Sequence, residues 1–386
     1  MSDDDCSRAW TGFCRRLEAA GHRILETEGV KTPRERAETL RYLVRELRSA
    51  LEWDVELADP MFPHFLRLDE TGSGPSAAPN LDNWYLAARV DAAAEYRITA
   101  DFSAINGATF SIHADDWALH GSADLGEFEL GPGGRFELRL GSQAQPGNWM
   151  RLVPGATFIA IRLYYYDWTR FEPTPIRIER IGSLGETPAP IEPAALAARL
   201  GRAASWVEER PYLWPLRKKQ QYASTPLNTL RPPFLNPGTN DVIQFGGGRF
   251  GFGEDEALLV ETEVPQARQW SFQLYTLPWW EPVDITNRVT SLNGTQVHVD
   301  ADGRVRIVLA HRDPGVQNWL DTASIREGAL QYRWIWSRTS PAPSARLLRL
   351  DQIRAHLPAD TPAFGPGDRR RQIDSRRAYF ARRMRY

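Results

Sequence analysis

The spacing of apolar residues changes twice along the chain. Between residues 7 and 52 apolar side chains recur every three or four positions, which predicts two amphipathic helices. Thr32 followed by Pro33 predicts where the second helix begins, because threonine caps helix ends and proline suits the first turn. The apolar positions are Trp10, Phe13, Leu17 and Ala20 in the first helix and Leu40, Leu43, Leu47 and Leu51 in the second.

From about residue 65 the apolar positions alternate with polar ones, in short segments separated by Gly, Pro, Asp and Asn. The segments include EYRITADFS, GEFELG, RFELRLG and IRIERIG up to residue 183, and a second series runs from 241 to 337. Short alternating strands with frequent turn residues are typical of antiparallel sandwiches. We therefore predict a mainly β fold with two related antiparallel β-sandwich domains of jelly-roll type, an N-terminal helical region and a helical linker.

These changes of pattern also predict where the parts of the chain begin and end. The predicted parts are a helical region at 1–58, a first sandwich at 59–183, a helical and proline-rich linker at 184–239, a second sandwich at 240–340, and a short helix with an arginine-rich tail at 341–386.

The two β series share a set of spacings. Phe136 to Trp149 is thirteen residues and Val305 to Trp319 fourteen, and the intervals from these tryptophans to Arg162 and Arg333 are again thirteen and fourteen. A third anchor aligns VDAAAEY at 90–96 with VPQARQW at 264–270. Anchors that keep register over some seventy positions indicate an internal duplication.

The second series also resembles a known family. Residues 240–338 are similar to the C-terminal region of proteins of the domain of unknown function 1214 family. The resemblance lies in the segments DEALLVETEVPQARQWSFQLY and SLNGTQVHVDADGRVRIVLAHRDPGVQNWLDT and in the Gly and Arg that follow them. The first series resembles the companion region found in the same proteins. The resemblance implies a β-sandwich beside a second one and implies no particular chemistry.

Composition narrows the class of protein. The chain has 386 residues, a formal net charge of −2 and 25% charged residues, which is ordinary for a soluble globular protein and gives no reason to expect nucleic acid or membrane as a partner. The acidic N-terminus lacks the apolar stretch of a secretory signal, and Cys6 and Cys14 make no disulfide framework. The expected location is the cytoplasm.

The loop HRDPGVQNW at 311–319 is the first candidate site. Asp313, Pro314 and Gly315 are what a turn requires, since the carboxylate accepts from backbone N–H groups ahead of it and glycine permits a positive φ. The first series keeps Pro, Gly, Asn and Trp at this corner and lacks the histidine and aspartate. We therefore assign the shared residues to the fold, and we predict His311 and Asp313 as catalytic residues.

The segment SLNGTQVHVD at 291–300 is the second candidate. Asn293 and Gln296 offer donors and acceptors suited to a hydroxyl or carbonyl group, although Asn-Gly can also simply turn the chain. His298 and Asp300 alternate on one strand, but a pair of ligands does not make a metal site. No metal and no cofactor is expected.

Two other polar groups each have a structural and a functional explanation. His113, Asp115 and Asp116 lie at a strand end, where a histidine–carboxylate pair could act as a base and where solvated side chains are also common. Arg162 and Arg333 could each close a sandwich by pairing with a carboxylate, Asp321 in the second, or could bind an anionic group.

Residues 369–386 hold eight arginines against one aspartate. Such a run can be a solvated end, or an arm for an acidic partner or a neighbouring subunit, so a homo-oligomer is one possibility. Nucleic acid is not expected, because the whole chain is nearly neutral.

Two functions from different classes fit these residues. The first is an enzyme, or an enzyme component, that binds a small, largely apolar molecule bearing hydroxyl or carbonyl groups in an aromatic-lined pocket. The alternative is a non-catalytic module that binds carbohydrate or protein through an exposed aromatic face. The reaction and the ligand are not determined by the sequence. The predicted ligand-binding residues are Asn293, Gln296, Trp270, Tyr275, Trp280 and Arg333.

Overall fold

The computed structural model describes residues 3–68, 78–236 and 241–384, and these form two compact units. Within that part of the chain, the first unit comprises 3–68, 83–165 and 172–215, and the second comprises 78–82, 166–171, 216–236 and 241–384. Segments 78–82 and 166–171 fall inside the predicted range 59–183 but are part of the second unit. The predicted boundary at 239–240 lies outside the described residues, and the five predicted ranges stay predictions.

The two predicted N-terminal helices are confirmed. They are α1, Asp3–Leu25, and α2, Pro33–Leu51, which continues into one π-helical turn at Glu52–Glu56. The hydroxyl of Thr32 accepts from the backbone N–H of Glu35, whose carboxylate accepts from the backbone N–H of Thr32 in return. This reciprocal cap satisfies two donors that the start of a helix leaves without partners.

The buried face of α2 is not the leucine stripe alone. Leu43 is buried, whereas Leu40 is 42% exposed. Tyr42 and Glu46 are buried instead, and Glu46 accepts a hydrogen bond of 2.9 Å from the indole N–H of Trp206. Burial raises the pKa of this carboxyl, which favours its neutral form.

The first sandwich consists of two sheets, in which all strand pairs are antiparallel except one. Their strand orders are β1-β2-β8-β4-β5 and β7-β6-β3-β9, and β6 and β7 form the parallel pair. Phe110 of β4 stacks on Phe136 of β6 with ring centroids 5.4 Å apart, so the two sheets pack face to face. The strands are β1 Leu66–Arg67, β2 Asn83–Arg89, β3 Tyr96–Asp101, β4 Gly107–His113, β5 Leu119–Asp124, β6 Arg135–Gly141, β7 Trp149–Arg151, β8 Phe158–Tyr164 and β9 Ile176–Arg180.

One predicted strand, GEFELG at 126–131, is wrong. Leu125–Glu127 forms a short 3₁₀ helix. Asp124 caps this helix through the backbone N–H of Gly126, and Glu127 accepts from the backbone N–H of Asp124. Local capping therefore overrides the alternation of the segment.

The linker contains helix α3, Pro193–Gln221, whose residues from Leu216 onward belong to the second unit. Among its described residues the second unit then has nine strands, a 3₁₀ helix at Leu350–His356 and helix α4, Pro366–Arg383. The strands are β10 Arg231–Leu235, β11 Ile243–Gly251, β12 Glu256–Glu263, β13 Ala267–Tyr275, β14 Ser291–Asn293, β15 Arg304–Ala310, β16 Trp319–Asp321, β17 Glu327–Ser337 and β18 Ser344–Arg349.

The predicted duplication is confirmed by the strand order. The sheets of the second sandwich run β10-β11-β17-β13-β14 and β16-β15-β12-β18, which repeats the order of the first sandwich strand for strand. Trp149 and Trp319 both begin the short parallel strand, opposite Arg139 and Val308. Trp149 and Trp319 therefore occupy equivalent places, and Arg162 on β8 and Arg333 on β17 lie on corresponding strands.

The third anchor, which aligned Tyr96 with Trp270, is wrong. Tyr96 lies on β3, which pairs with β6, whereas Trp270 lies on β13, which pairs with β17 and β14. The counterpart of β13 in the first sandwich is β4. Every strand of a sandwich alternates in the same way, so two residues six apart cannot identify which strand carries them.

The core of the second unit lies between its two sheets. Phe272, Leu274 and Trp334 from one sheet pack against Leu258 and Ile307 from the other. None of the described helices is long and apolar enough to cross a membrane.

Candidate functional site

One sheet of the second unit is buried on both faces, and its outer face is polar. Along β13 and β17 the apolar side chains, such as Trp270, Phe272 and Trp334, face the core. The side chains between them are polar and point the other way. A buried polar side chain must find partners inside the protein, so this face has to be covered by other polar groups. Its polar residues, each at most 3% exposed, are Ser271, Gln273, Asn293, Gln331 and Arg333.

Arg333 lies at the centre of this face. Its guanidinium donates to the Tyr275 hydroxyl at 3.1 Å, to the Gln331 side chain at 3.0 Å and to the Ala78 carbonyl. These partners are neutral. Asp321, the carboxylate considered as a partner for Arg333, accepts from Arg288 instead, at 2.8 Å. Segment 78–82 and the sheet therefore hold this buried cation by hydrogen bonds.

Asp82 is a buried carboxylate beside the same face. Its Oδ1 accepts from the side-chain amide of Asn293 and from the indole N–H of Trp168, both at 2.8 Å. Burial raises the pKa of Asp82 to about 6, while these two hydrogen bonds and the positive charges of Arg383 and Arg333 oppose the rise.

Helix α4 also packs against the polar face, near β14. Arg376 donates to the Ile285 carbonyl at 2.5 Å and to the Ser291 hydroxyl at 2.8 Å, and its guanidinium lies 5.0 Å from the ring of Trp168. The ring of Trp168 is also stacked on that of Tyr379, with centroids 4.2 Å apart. Burial lowers the pKa of Arg376 to about 9, because the interior solvates its positive charge poorly.

A cavity of about 390 Å³ opens between α4, segment 166–171 and the loops around β14. This volume is in the range of small-molecule sites. One wall comes from positions of α4 that share a helix face. The lining residues are Asp167, Trp168, Thr169, Val289, Ser291, Leu292, Thr295, Gln296, Gln317, Phe364, Asp368, Arg371, Gln372, Ser375 and Arg376.

Two amides in this lining have fixed orientations. The Oε1 of Gln296 accepts from the backbone N–H of Asn293 at 3.0 Å, which leaves its Nε2 without a partner among the described residues. The Nε2 of Gln317 donates to the Gln296 carbonyl at 3.0 Å, which leaves its Oε1 without a partner among the same residues. The cavity therefore has a fixed donor and a fixed acceptor on adjacent side chains.

The charges of the lining balance. Asp167 and Asp368 are acidic, and Arg371 and Arg376 are basic. Asp368 accepts from Arg371, and Asp167 accepts from the Thr169 hydroxyl at 2.6 Å. A lining of balanced charge favours a neutral ligand over an ionic one.

Comparisons with known proteins agree with this fold. The model of the protein of unknown function family DUF1214 matches residues 254–338. The solved structure of an uncharacterised protein from Burkholderia cenocepacia is 31% identical, covers 89% of this chain and 97% of its own, and has a TM-score of 0.81. The chain belongs to the DUF1214 family.

Two further comparisons add little. The solved structure of the VPA0106 protein from Vibrio parahaemolyticus is less similar: it covers 79% of this chain and 96% of its own at 12% identity, with a TM-score of 0.44. A search of curated proteins found no match.

The DUF1214 region contributes only part of the cavity. Within 254–338 the lining residues are Val289, Ser291, Leu292, Thr295, Gln296 and Gln317. The remaining wall comes from segment 166–171 and from residues 364–376.

Of the predicted ligand-binding residues, Gln296 lines the cavity and Asn293 lies directly behind it. The Asn293 amide has all four of its hydrogen-bonding positions occupied, since Nδ2 donates to Asp82 and to the Tyr166 carbonyl, and Oδ1 accepts from the backbone and hydroxyl of Thr295. Asn293 thereby positions the loop that carries Gln296.

The other four predicted ligand-binding residues lie away from the cavity. Trp270 is in the core, where a Cβ at Gly294 would come within 2.6 Å of its indole, so glycine is needed for this close approach. Tyr275, Trp280 and Arg333 lie together on the polar face. Their ligand-binding roles stay predictions.

His311 and Asp313 are not brought together. The Nε2 of His311 is 3.2 Å from the Phe252 carbonyl, which can only accept, so Nε2 carries the proton and Nδ1 accepts from the Thr322 hydroxyl at 2.5 Å. Asp313 accepts from Arg369 at 3.0 Å and from the backbone N–H of Gly315, whose φ is +72°. The predicted turn is confirmed, and the catalytic roles stay predictions.

Sequence reasoning missed α4 as a wall of the site, although its arginines carried a signal. Arg369, Arg376 and Arg383 recur every seven residues, lie on one helical face and are all buried. The arginines at 370, 371, 377 and 382 are exposed. A tail whose arginines recur with a helical period is therefore a covering helix as well as a charged surface. Arg385 lies outside the described residues.

Proposed function

We propose that the second unit binds a small molecule bearing hydroxyl or carbonyl groups in the cavity beneath α4, as an enzyme or a component of one. The observation that carries this proposal is the pair of fixed amide groups on Gln296 and Gln317. A hydroxyl group is both donor and acceptor, so it can donate to the Gln317 Oε1 while it accepts from the Gln296 Nε2. A carbonyl can accept from Gln296 alone.

The composition of the lining sets the class of molecule. Val289, Leu292 and Phe364 supply apolar contact, and the balanced charges favour a molecule without net charge. The ligand is therefore a neutral ring or short chain with one or a few oxygen atoms.

The alternative, a module that binds carbohydrate through an exposed aromatic face, is less well supported. The aromatic ring best placed for it is Trp168, which is only 5% exposed, is stacked on Tyr379 and lies against the guanidinium of Arg376. Trp10, 59% exposed, is a single ring on α1 and makes no row.

Saturation-transfer NMR with three matched probes tests the proposal. Cyclohexanol, cyclohexanone and cyclohexanecarboxylate share a ring and differ in the polar group. We expect transfer to cyclohexanol and cyclohexanone and little to the carboxylate. Gln296→Leu should abolish the signal of both neutral probes, and Gln317→Leu should weaken cyclohexanol more than cyclohexanone.

Gln143→Leu is the matched control, because Gln143 is an exposed glutamine at the equivalent corner of the first sandwich. Transfer that is unchanged in both cavity variants, or equal for all three probes, would show that the cavity is not the binding site.

A further inference from the structure

Lysine is rare in this chain. Of its 47 lysine and arginine residues only three are lysines, at 31, 218 and 219. Arginine stays charged in almost any environment, whereas a lysine can lose its proton when it is buried. A buried lysine in a chain whose other basic residues are almost all arginines is therefore a candidate for a role that requires an unprotonated amine.

Lys218 is such a residue. It lies in the last turn of α3 and is 8% exposed, whereas its neighbour Lys219 is exposed. Its Nζ is 5.6 Å from the centre of the Phe245 ring and 5.8 Å from that of Trp280. Trp280 stacks on Tyr222, which follows Lys218 by four residues, with ring centroids 5.3 Å apart. The amine is thus enclosed by aromatic walls.

The charges around Lys218 disfavour its protonated form. Among the described residues no carboxylate forms an ion pair with it, and no group forms a hydrogen bond with its Nζ. The charged group that acts on it is Arg333 of β17, and Tyr222, just beyond the end of α3, stacks on the same Trp280 ring that lies near the amine. Burial first, and then the positive charge of Arg333, lower the pKa of Lys218 to about 7.

We propose that Lys218 is a nucleophilic amine that condenses with a small carbonyl compound to form an imine. The nitrogen lone pair attacks the carbonyl carbon, the nitrogen gives up one proton and the carbonyl oxygen takes one up, which gives a carbinolamine. The hydroxyl then takes up a second proton and leaves as water while the C=N bond forms, and the nitrogen releases its remaining proton. No oxidant or reductant is needed, and a desolvated lysine is the usual nucleophile for this step.

The site limits the partner in two ways. The small exposed fraction of Lys218 admits only a small molecule, and the nearby guanidinium of Arg333 attracts a carboxylate. Glyoxylate satisfies both conditions and is the probe of choice. This site is separate from the cavity beneath α4, so either proposal can fail without the other.

The test is reductive trapping. The wild-type chain is incubated with glyoxylate and cyanoborohydride at pH 7, and carboxymethyl adducts on Lys218 and Lys219 are measured by peptide mass spectrometry. We expect Lys218 to react at least about 10-fold faster than Lys219, because an ordinary lysine is almost wholly protonated at this pH. Equal rates, or an adduct on Lys219 and Lys31 alone, would overturn the proposal.

Two further measurements test whether Lys218 is the residue that reacts. The rate at Lys218 should level off just above pH 7, whereas the rate at Lys219 should go on rising. Lys219→Arg should keep the fast adduct and Lys218→Arg should lose it, with melting temperature checked for both. A fast adduct that survives in Lys218→Arg would refute the role of Lys218.

Discussion

Asn148 and Asn318 make the same three hydrogen bonds in two different sandwiches. Each side-chain amide donates to two backbone carbonyls, those of Glu129 and Glu137 in the first sandwich and of His298 and Arg306 in the second. Each side-chain oxygen accepts from a backbone N–H, of Glu129 or of His298. The asparagine therefore ties a loop to β6 in the first sandwich and to β15 in the second, the strands that carry the short parallel strand.

This equivalence predicts that Asn318→Ala destabilises the second sandwich. The variant removes the side-chain partner of three part-buried backbone groups, and we expect a loss of about 1–3 kcal/mol in the free energy of unfolding. Asn148→Ala is the matched variant and should cost less, because Asn148 is half-buried and water can replace its bonds. Urea denaturation measures both. A melting temperature equal to wild type for Asn318→Ala would contradict the structural role.

The predicted catalytic role of His311 is tested by His311→Gln. Both ring nitrogens are already bonded, so we expect a loss of about 1 kcal/mol in stability and unchanged saturation transfer to cyclohexanol. Parallel thermal melts and NMR distinguish the two roles. An unchanged melting temperature with lost binding would establish His311 as a site residue instead.

Lys218→Met is expected to change how stability depends on pH. Because the pKa of Lys218 is lowered to about 7, the folded protein binds fewer protons than the unfolded chain between pH 7 and about 10. Wild-type stability therefore falls as pH falls through this range, and the whole cost is present below pH 7.

Methionine carries no proton, so the variant should be more stable than wild type at pH 7 by a few kcal/mol, at about 1.4 kcal/mol per pKa unit, and similar to it near pH 10. Lys219→Met, at an exposed position, serves as the control and should show no such dependence. Equal stabilisation of Lys218→Met at both pH values would mean that Lys218 keeps an ordinary charge when folded.

Asp82→Asn and Asp82→Ala separate the charge of Asp82 from its hydrogen bonds. Asparagine can still accept from Asn293 and Trp168, whereas alanine leaves both donors unsatisfied, so we expect alanine to cost about 1–3 kcal/mol more than asparagine. Chemical denaturation at pH 7 measures the difference.

The pH dependence gives a second test. With its pKa raised to about 6, Asp82 holds its proton longer in the folded protein, so its contribution is fully present below about pH 4 and is lost as pH rises through 6. The stability difference between wild type and Asp82→Asn should change across that window. A difference that is constant from pH 4 to pH 7 would show that the carboxyl titrates normally.

Local sequence determined much of the architecture. The three- and four-residue spacing located α1 and α2, the alternation located most strands, and the intervals around Trp149 and Trp319 indicated the duplication. These features depend on residues close together in the chain, since helical and strand periodicity follow directly from backbone geometry. The Asn-Trp corner was likewise visible because both copies retain it.

The candidate site depended on tertiary structure. Alternation along β17 shows that Gln331 and Arg333 share a face, but it cannot show whether water or protein covers that face. Segment 78–82, segment 166–171 and α4 cover it, from positions hundreds of residues apart. Segment 166–171 and α4 also build the cavity around Gln296, and Lys218 is buried beside Phe245 and Trp280. Burial and electrostatic environment are set by whatever packs against a side chain and not by its neighbours in sequence.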